Sequence, residues 1–246
     1  MTAPLLRSSL ALRTVALFEG LPESRMDQLA RICTWHNVAA RRPLLLRSSP
    51  GGTAVPEPEV FFIVSGRVRI AIYSAAGRQV TFRDHGAGEL FGDLAAIDEG
   101  PRSADVSTLE PSVLASLSRT AFMALLRDEP VVAERMLKRL ATLVRHLSDR
   151  VIDLSTLPVA DRLQAELLRM ARTAGVVDNR AGLRPAPRHA ELASQISTNR
   201  EQVTRELAVM VRAGLLQKDA GTLWVTDVEG LARRVFAARG WGGGVS

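Results

Sequence analysis

The sequence is poor in cysteine, in aromatic residues and in long apolar segments. Cys33 is the only cysteine among 246 residues, so the chain lacks the several thiolates that a disulfide, an iron–sulfur cluster or a structural zinc site needs. No run approaches the roughly 18 to 20 apolar residues that cross a bilayer, and Met1 to Leu10 contains no apolar segment ending in a cleavage site. These absences predict a cytoplasmic protein without cluster-based redox sensing.

The charge balance is basic, with 32 Lys and Arg against 26 Asp and Glu and a formal net charge of +6. The excess leans towards the carboxy-terminal part, and arginine far outnumbers lysine. This balance indicates a polyanion as partner. A solvated arginine-rich surface is the alternative that composition leaves open. The length and the 46% share of hydrophobic residues predict a globular chain of two modest domains.

The first half of the chain is typical of a β-rich domain. Short apolar runs separated by glycine-bearing turns predict five strands, at Val60 to Val64, Arg67 to Tyr73, Gln79 to Arg83, Ala104 to Thr108 and Val113 to Ser118. The turns fall at Ser65-Gly66, Ala76-Gly77 and Gly86-Ala87-Gly88. A helix at Pro22 to Ile32 and a loop at Ser48 to Pro58 precede or interrupt them. Closely spaced strands of this kind predict a barrel or sandwich.

A long amphipathic helix follows Pro130. Its apolar residues recur at intervals of three and four, at Met136, Leu140, Leu143, Leu147, Val151 and Leu154. A stripe of this length packs either on the barrel of the same chain or on a second copy of the chain. We favour the two-fold dimer.

The remaining third predicts a helix-turn-helix followed by a hairpin. Pro158 ends the long helix and starts another at Val159 to Thr173. A short helix (His189 to Gln195), a turn (Ile196 to Thr198) and a longer helix (Asn199 to Arg212), which Gly214 stops, come next. Two strands around Asp219-Ala220-Gly221 span Leu215 to Thr226, and a last helix, capped by Asp227, runs through Arg234. Gly240 to Ser246 is predicted to be a frayed end.

A candidate phosphate site lies in the β-rich region. The run from Gly88 to Leu94 reads Gly-Glu-Leu-Phe-Gly-Asp-Leu, and Pro101-Arg102-Ser103-Ala104 follows after a short apolar stretch. Backbone N–H groups at a helix start, one arginine and one hydroxyl form a cradle for a single phosphate. A carboxylate nine residues before the arginine is able to accept a ribose hydroxyl.

This run resembles the phosphate-binding cassette of cyclic-nucleotide-binding domains, and the order of elements resembles the CRP/FNR family of bacterial transcription regulators. The resemblance covers nearly the whole chain. It implies an α+β fold with a jelly-roll β-barrel at residues 1–127, a dimerisation helix and hinge at 128–157, and a winged helix-turn-helix domain at 158–246. It also implies that the effector is cAMP or cGMP, without metal, haem or iron–sulfur cluster.

The resemblance assigns roles to individual residues of the barrel and the long helix. Arg102 and Ser103 would bind the cyclic phosphate, and Gly92 would offer its backbone. Asp93, where the family usually has glutamate, would meet the ribose 2′-hydroxyl, and Leu94 would belong to the same binding site. Leu147 and Ser148 occupy the positions that meet the purine in cAMP-responsive members. Two alternatives stay open: Arg102 is a loop arginine paired with Asp93 or Asp105, and Leu147 is only a seam residue of the dimer.

The second motif reads Glu-Leu-Ala-Ser-Gln-Ile-Ser-Thr-Asn-Arg-Glu-Gln-Val-Thr-Arg-Glu-Leu from Glu191 to Leu207. Leu192, Ile196, Val203 and Leu207 are its predicted buried positions. The predicted DNA-binding residues are Ser197, Thr198, Asn199, Arg200, Glu201, Gln202, Thr204 and Arg205. Arginine bonds guanine O6 and N7, and glutamate accepts from cytosine N4, so this face is suited to a major groove. By resemblance the Arg-Glu-x-x-x-Arg pattern is similar to that of activators reading a TGTGA-type half-site.

The bland alternative for this face is a set of solvated helix charges, with Glu201 and Arg205 as an i, i+4 pair. Ser197 stands where many such turns have glycine, which predicts some strain there. The four histidines show no metal-ligand spacing, Cys33 is predicted to be a small core residue, and no nucleophile with a base partner supports catalysis.

The sequence therefore predicts a homodimeric DNA-binding regulator gated by a cyclic nucleotide, with RNA polymerase as a further partner. A regulator of the same fold that binds no cyclic nucleotide is one alternative. A cyclic-nucleotide sensor that acts through protein contacts is another.

Overall fold

The structure is a computed structural model and describes residues 8–47, 58–73 and 79–240. The predicted loop at Ser48 to Pro58, the Ala76-Gly77 turn and the frayed end from Gly240 lie wholly or mostly outside these residues. The chain divides into two compact units, Met1–Thr142 and Leu143–Ser246.

In the described part of the first unit, two short helices, α1 (Ser9–Leu12) and α2 (Glu23–Ile32), are separated by a 3₁₀ turn at Ala16–Phe18. Eight strands and two helices follow among the same residues: β1 (Thr34–Val38), β2 (Pro43–Leu45), β3 (Glu59–Ser65), β4 (Arg67–Tyr73), β5 (Gln79–Gly86), β6 (Leu90–Phe91), α3 (Asp93–Asp98), β7 (Asp105–Thr108), β8 (Ser112–Ser118) and α4 (Arg119–Asp128). All five predicted strands are present. The eight strands lie in two antiparallel four-stranded sheets, ordered β1-β8-β3-β6 and β2-β7-β4-β5.

Three strands of this unit have no clear signal in the sequence. Strand β1 carries His36 and Asn37 and is half-exposed, β2 is three residues long, and β6 is two. Each pairs with a strand distant in the chain, as β1 does with β8. Long-range pairing therefore creates these strands, because their own residues alternate too weakly to predict them.

The core of the first unit packs aromatic and aliphatic side chains from both its helices and its strands. Phe18, Phe62 and Phe122 are all buried and meet at tilted angles, with ring centroids 4.7 Å and 6.4 Å apart. Cys33 lies at the end of α2 in this core, and burial raises the pKa of its thiol to about 12. The prediction that it is a small core residue is confirmed.

Helix α5 (Pro130–Thr156) begins in the first unit, and the division between the units falls inside it. The predicted apolar stripe needs a correction. Met136 is buried in the first core and Leu140 packs against that core. The large apolar side chains of the helix that stay exposed are Val131, Leu137, Val144, Leu147, Val151 and Ile152, and of these only Leu147 and Val151 belong to the predicted stripe. One end of the stripe therefore packs on its own domain, and the remainder presents an apolar surface.

The second unit contains a separate core. Its elements after α5 are α6 (Val159–Ala174), β9 (Ala181–Leu183), α7 (His189–Gln195), α8 (Arg200–Arg212), β10 (Leu216–Asp219), β11 (Thr222–Val225) and α9 (Val228–Ala238). The three strands form one antiparallel sheet ordered β10-β11-β9. Asp227 caps α9 by accepting from the backbone N–H of Gly230 at 2.7 Å, as predicted, and the helix runs four residues past Arg234. Strand β9 was not predicted, because Ala-Gly-Leu carries no strand pattern.

Among the described residues no helix is both long and apolar enough to cross a membrane. Within the same ranges no group of three or more His, Cys, Asp or Glu side chains is placed to hold a metal ion.

Candidate ligand site and DNA-reading face

The candidate phosphate cassette is built around Gly92, which connects β6 to α3. Its φ of 83° lies in the left-handed region that glycine tolerates without strain. A Cβ at this position would lie 2.7 Å from the carbonyl oxygen of Glu59 and 2.8 Å from Nη1 of Arg102. Only glycine therefore lets the arginine approach the backbone so closely.

Arg102 is half-buried and lies across this glycine. Its Nη1 donates to the carbonyl oxygens of Glu59 (3.1 Å) and Gly92 (3.0 Å), and its Nη2 also donates to that of Glu59 (3.1 Å). Burial lowers the pKa of the Arg102 guanidinium, and the Glu59 carboxylate opposes that shift. The guanidinium is thus held by backbone dipoles, which fix its direction without cancelling its charge.

The local carboxylates considered as partners of Arg102 are engaged elsewhere. Asp105 Oδ1 accepts from the backbone N–H of Arg47 at 2.7 Å, and Asp93 Oδ2 lies 3.5 Å from Nε of Arg139. Across the described ranges, Arg102 has no ion-pair partner within 4 Å. Its positive charge is therefore available to an anion.

Glu59 is held in place by a chain of hydrogen bonds from the sheet. Ser116 Oγ on β8 donates to Glu59 Oε1 at 2.8 Å, and His36 Nε2 on β1 lies 2.8 Å from the same hydroxyl. The ring of Phe61, on β3, stacks on that of Phe91 with centroids 5.0 Å apart. These contacts order the strand end whose carbonyl holds the arginine, and no pattern in the sequence predicts them.

Asp93 is buried, with 6% of its surface exposed, at the start of α3. Its neighbour Arg139, from α5, also donates from Nη2 to the carbonyl oxygen of Leu90 at 2.9 Å. The sequence did not identify Arg139 as a residue of this site, because one arginine on an amphipathic helix has no distinguishing pattern. Through these two contacts the Arg139 guanidinium of α5 lies against Asp93 and the end of β6.

The other predicted ligand residues are accessible. Ser103 is exposed beside Arg102, and Leu94 is 39% exposed on α3. On α5, Leu147 is 41% exposed and Ser148 is exposed. The first unit thus brings together Gly92, Asp93, Leu94, Arg102 and Ser103.

The helix-turn-helix of the second unit has the predicted buried positions. Leu192 of α7, Ile196 of the turn, and Val203 and Leu207 of α8 are each at most 4% exposed. Ser197 has a φ of 53°, so it occupies the left-handed conformation for which many such turns use glycine.

The outward face of α8 carries the predicted base-reading residues. Arg200, Glu201, Thr204 and Arg205 are exposed, whereas Gln202 is half-buried. Asn199 caps the helix by accepting from the backbone N–H of Gln202 at 2.8 Å. The bland alternative of a Glu201–Arg205 pair is not observed, because Arg205 donates to Gln202 Oε1. Ser197 and Asn199 are also exposed and Thr198 is half-buried, so the turn adjoins this face.

A histidine outside the motif adjoins this face. His189, at the start of α7, lies with Nδ1 2.7 Å from Thr204 Oγ1 on α8. Burial lowers the pKa of His189, and the charges of Lys218 on β10 and Arg200 lower it further. These two cations give the face a positive potential, which is suited to a phosphate backbone.

Comparison with known proteins supplies the family. The model of the cyclic nucleotide-binding domain family matches residues 53–129, and that of the Crp-like helix-turn-helix domain matches residues 161–234. The cyclic AMP receptor protein of Thermus thermophilus is 33% identical over 223 residues, which cover 89% of this chain and 96% of that protein. The chain belongs to the CRP/FNR family of transcription regulators. Members of this family are regulators and not enzymes, in agreement with the prediction.

Two further matches place this CRP/FNR protein among its relatives. The CRP-like cAMP-activated global transcriptional regulator of Mycobacterium tuberculosis is 29% identical over 181 residues, covering 73% of this chain and 80% of that protein. The solved c-di-GMP responsive global regulator CLP of Xanthomonas campestris has a TM-score of 0.64 at 21% identity, covering 80% of this chain and 95% of that chain. The predicted fold class, an N-terminal jelly-roll domain, a long helix and a winged helix-turn-helix, is confirmed.

Proposed function

We propose that this regulator is a homodimer whose sequence-specific DNA binding is gated by a cyclic nucleotide, cAMP or cGMP, held in the N-terminal domain. The observation that carries the proposal is the Arg102 guanidinium, fixed by two carbonyl oxygens beside Gly92 and paired with no carboxylate in the described ranges. A directed charge without a direct ion-pair partner suits a singly charged cyclic phosphate.

The first unit supplies the residues that would hold the nucleotide. Arg102 and the exposed hydroxyl of Ser103 would bind the cyclic phosphate, and the absence of a Cβ at Gly92 keeps the arginine close to the backbone. Asp93 would accept from the ribose 2′-hydroxyl, with Leu94 beside it. Leu147 and Ser148 of α5 would contact the purine, and this assignment rests on the family resemblance alone.

The homodimer is supported by the apolar surface of α5. Val144 and Val151 are 62% and 63% exposed, and with Leu147 they recur at the intervals of a coiled-coil seam. Exposed valines at this spacing lose contact with water when a second copy packs against them. A symmetric dimer presents two copies of α8 to successive major grooves, about 34 Å apart, and so reads a palindrome.

Gating requires that the nucleotide bind one dimer geometry more tightly than another, because a ligand with equal affinity for both geometries does not change their populations. On this proposal the protein works in the cytoplasm, with RNA polymerase as a further partner. The DNA contacts would come from Ser197, Thr198, Asn199, Arg200, Glu201, Gln202, Thr204 and Arg205.

The test is a thermal-shift titration of the full-length protein with cAMP and, separately, with cGMP. A ligand at about 100 times its Kd adds roughly 2.7 kcal/mol to the free energy of unfolding, which raises Tm by several degrees. We expect a rise with one nucleotide in the wild type and in Arg127→Ala, an exposed arginine of α4 that serves as control. Arg102→Ala should melt normally and show no rise. An unchanged rise in Arg102→Ala would refute the pocket assignment.

A second candidate is a regulator of the same fold that answers another effector or none. The specific observation in its favour is Asp93, which is buried and lies against Arg139 and is therefore less accessible to a ribose. The similar Xanthomonas regulator is described as c-di-GMP responsive. The same titration with c-di-GMP distinguishes the two: a shift with c-di-GMP alone, or with none of the three nucleotides, favours this candidate.

A further inference from the structure

The second unit contains a cleft of about 400 Å³ between the last turns of α5 and helix α6, closed by the ends of α7 and α9. Its walls carry charged side chains of α5 and α6, among them Arg150, Asp153, Glu166 and Arg169, and that of Arg239 directly after α9. Glu166 and Arg169 pair within α6. Arg150 connects α5 to the end of α7, and Asp153 connects it to Arg239.

Arg150 holds the end of the first helix of the DNA-binding motif. Its Nη2 donates to the carbonyl oxygen of Gln195, the last residue of α7, at 2.7 Å. Carbonyl groups in the last turn of a helix lack partners within the helix, so a cation placed there satisfies one of them. Burial lowers the pKa of Arg150, and the Glu166 carboxylate opposes the shift.

Very little chain separates that carbonyl from the reading face. Ser197, two residues later, has a φ of 53°, and the backbone N–H of Thr198 donates back to the carbonyl oxygen of Ala193 at 2.9 Å. Helix α8 begins at Arg200. A turn this short, held by this hydrogen bond, cannot change its length or direction easily. A contact that fixes the position of Gln195 therefore also fixes the position of the first residue of α8.

A second contact holds the other side of the domain. Arg239, directly after α9, donates from Nε to Asp153 Oδ1 at 2.7 Å and from Nη2 to Oδ2 at 2.6 Å. Both side chains are about 15% exposed, and the hydrogen bonds raise the pKa of Arg239. One attachment point permits rotation about it, whereas two points fix the orientation of the domain on the helix.

The same turns of α5 also carry Val144, Leu147 and Val151, the exposed residues proposed to contact a second copy. They lie on a face roughly 120° around the helix from Arg150 and Asp153, given 100° per residue. Because the helix is rigid over this length, a rotation of the apolar face is also a rotation of the two charged side chains.

We propose that Arg150 and Asp153 are positioning residues that transmit the geometry of the α5 pair to the recognition helices and thereby set the spacing of half-sites that the protein reads. This inference rests on the proposed homodimer. It differs from a purely stabilising role, because it makes affinity for two correctly spaced half-sites depend on Arg150 while affinity for one half-site does not.

The test compares full-length Arg150→Gln, which loses the charge, with Arg145→Gln, an exposed arginine on the same helix. The probes are one duplex with two inverted TGTGA half-sites one helical turn apart and one duplex with a single half-site, each measured with saturating cAMP and, separately, with saturating cGMP. Loss of one charged hydrogen bond should weaken binding of Arg150→Gln to the paired sites about tenfold. Binding to the single half-site should change less than about twofold, and Arg145→Gln should match wild type on both probes. Equal losses on both probes, or no loss, would overturn the proposal.

A charge exchange tests the second contact. Asp153→Arg or Arg239→Asp alone should weaken binding to the paired sites, and the double variant should recover it, since the pair is restored with its sign reversed. A double variant no better than the single ones would count against Asp153.

Amide hydrogen exchange tests the role of Arg150 within one protomer, so its result does not depend on whether the protein dimerises. In Arg150→Gln the amides of residues 196–200 should exchange faster than in Arg145→Gln, while the core amides of α6 stay protected. If wild type shows no preference for paired sites, the dimer proposal fails, and unchanged exchange at the turn separately refutes the role of Arg150.

Discussion

At the scale of single residues, the main departure from the expected motifs is the backbone conformation of the helix-turn-helix turn. Ser197 adopts a left-handed φ in the helix-turn-helix, where a side chain is strained. Gly214, which ends α8, has a similar φ of 71°, and a Cβ there would meet nothing within 4 Å. Both positions have a φ in the left-handed region, yet only one of them is occupied by glycine.

We expect Ser197→Gly to raise the free energy of unfolding of the second unit by about 0.5 to 1 kcal/mol. Relief of the left-handed conformation exceeds the additional entropy that glycine gives the unfolded chain. Gly214→Ala is the matched control and should lower the free energy by about 1 kcal/mol, because it introduces the same strain without a steric clash. Urea unfolding of both variants measures the changes, and the same sign for both would contradict this explanation.

Several contacts of the ligand site cannot be predicted from residue patterns. Arg102, Gly92 and Asp93 are identified as candidates in the sequence because they occur together at a fixed spacing. Arg139, Glu59 and Ser116 are not, since each comes from a different element and reaches the site only through tertiary packing.

At the scale of elements, α5 differs most from its sequence-based prediction. An apolar spacing of three and four predicts an amphipathic helix but does not say what covers each turn. The first core covers Met136 and partly covers Leu140, and this shifts the exposed stripe to Leu137, Val144, Leu147 and Val151. The pattern therefore determined the helix, and packing determined which residues remain exposed.

We expect Val151→Glu to weaken the proposed homodimer at least about a hundredfold, because the substitution removes buried apolar area and places two carboxylates near the two-fold axis. Thr142→Glu adds the same charge at an exposed position on the other side of α5 and should leave association unchanged. Sedimentation equilibrium measures both. Equal association of Val151→Glu and wild type would show that this stripe is not the dimer contact.

At the scale of the whole molecule, the chain has separate hydrophobic cores. One set of buried side chains lies between Leu12 and Met136 and another between Leu163 and Val235, and no buried residue of the described ranges belongs to both. Separate cores of this size are expected to unfold in separate cooperative steps.

Calorimetry should accordingly resolve two unfolding transitions. Leu125→Ala removes a fully buried side chain of the first core and should lower only one transition, at a cost of about 3 kcal/mol. Leu207→Ala removes one from the second core and should lower only the other by a similar amount. If either variant lowers both transitions equally, the two units unfold as one.

The sequence by itself determined the fold class, the order of domains, the helix-turn-helix with its buried and outward faces, and the glycine–arginine pair of the cassette. The helices and most strands follow from periodicity and short-range spacing, which are local properties of the chain, whereas the fold class and the domain order follow from the resemblance of the motifs to a known family. Only the tertiary structure decided the short strands β1, β2, β6 and β9 and the hydrogen bonds from Arg102 to backbone carbonyls. It also decided the contact of Arg139 with Asp93 and the attachment of α7 and α9 to α5. Those features join residues tens of positions apart, and only the packing of the folded chain brings them within hydrogen-bond distance.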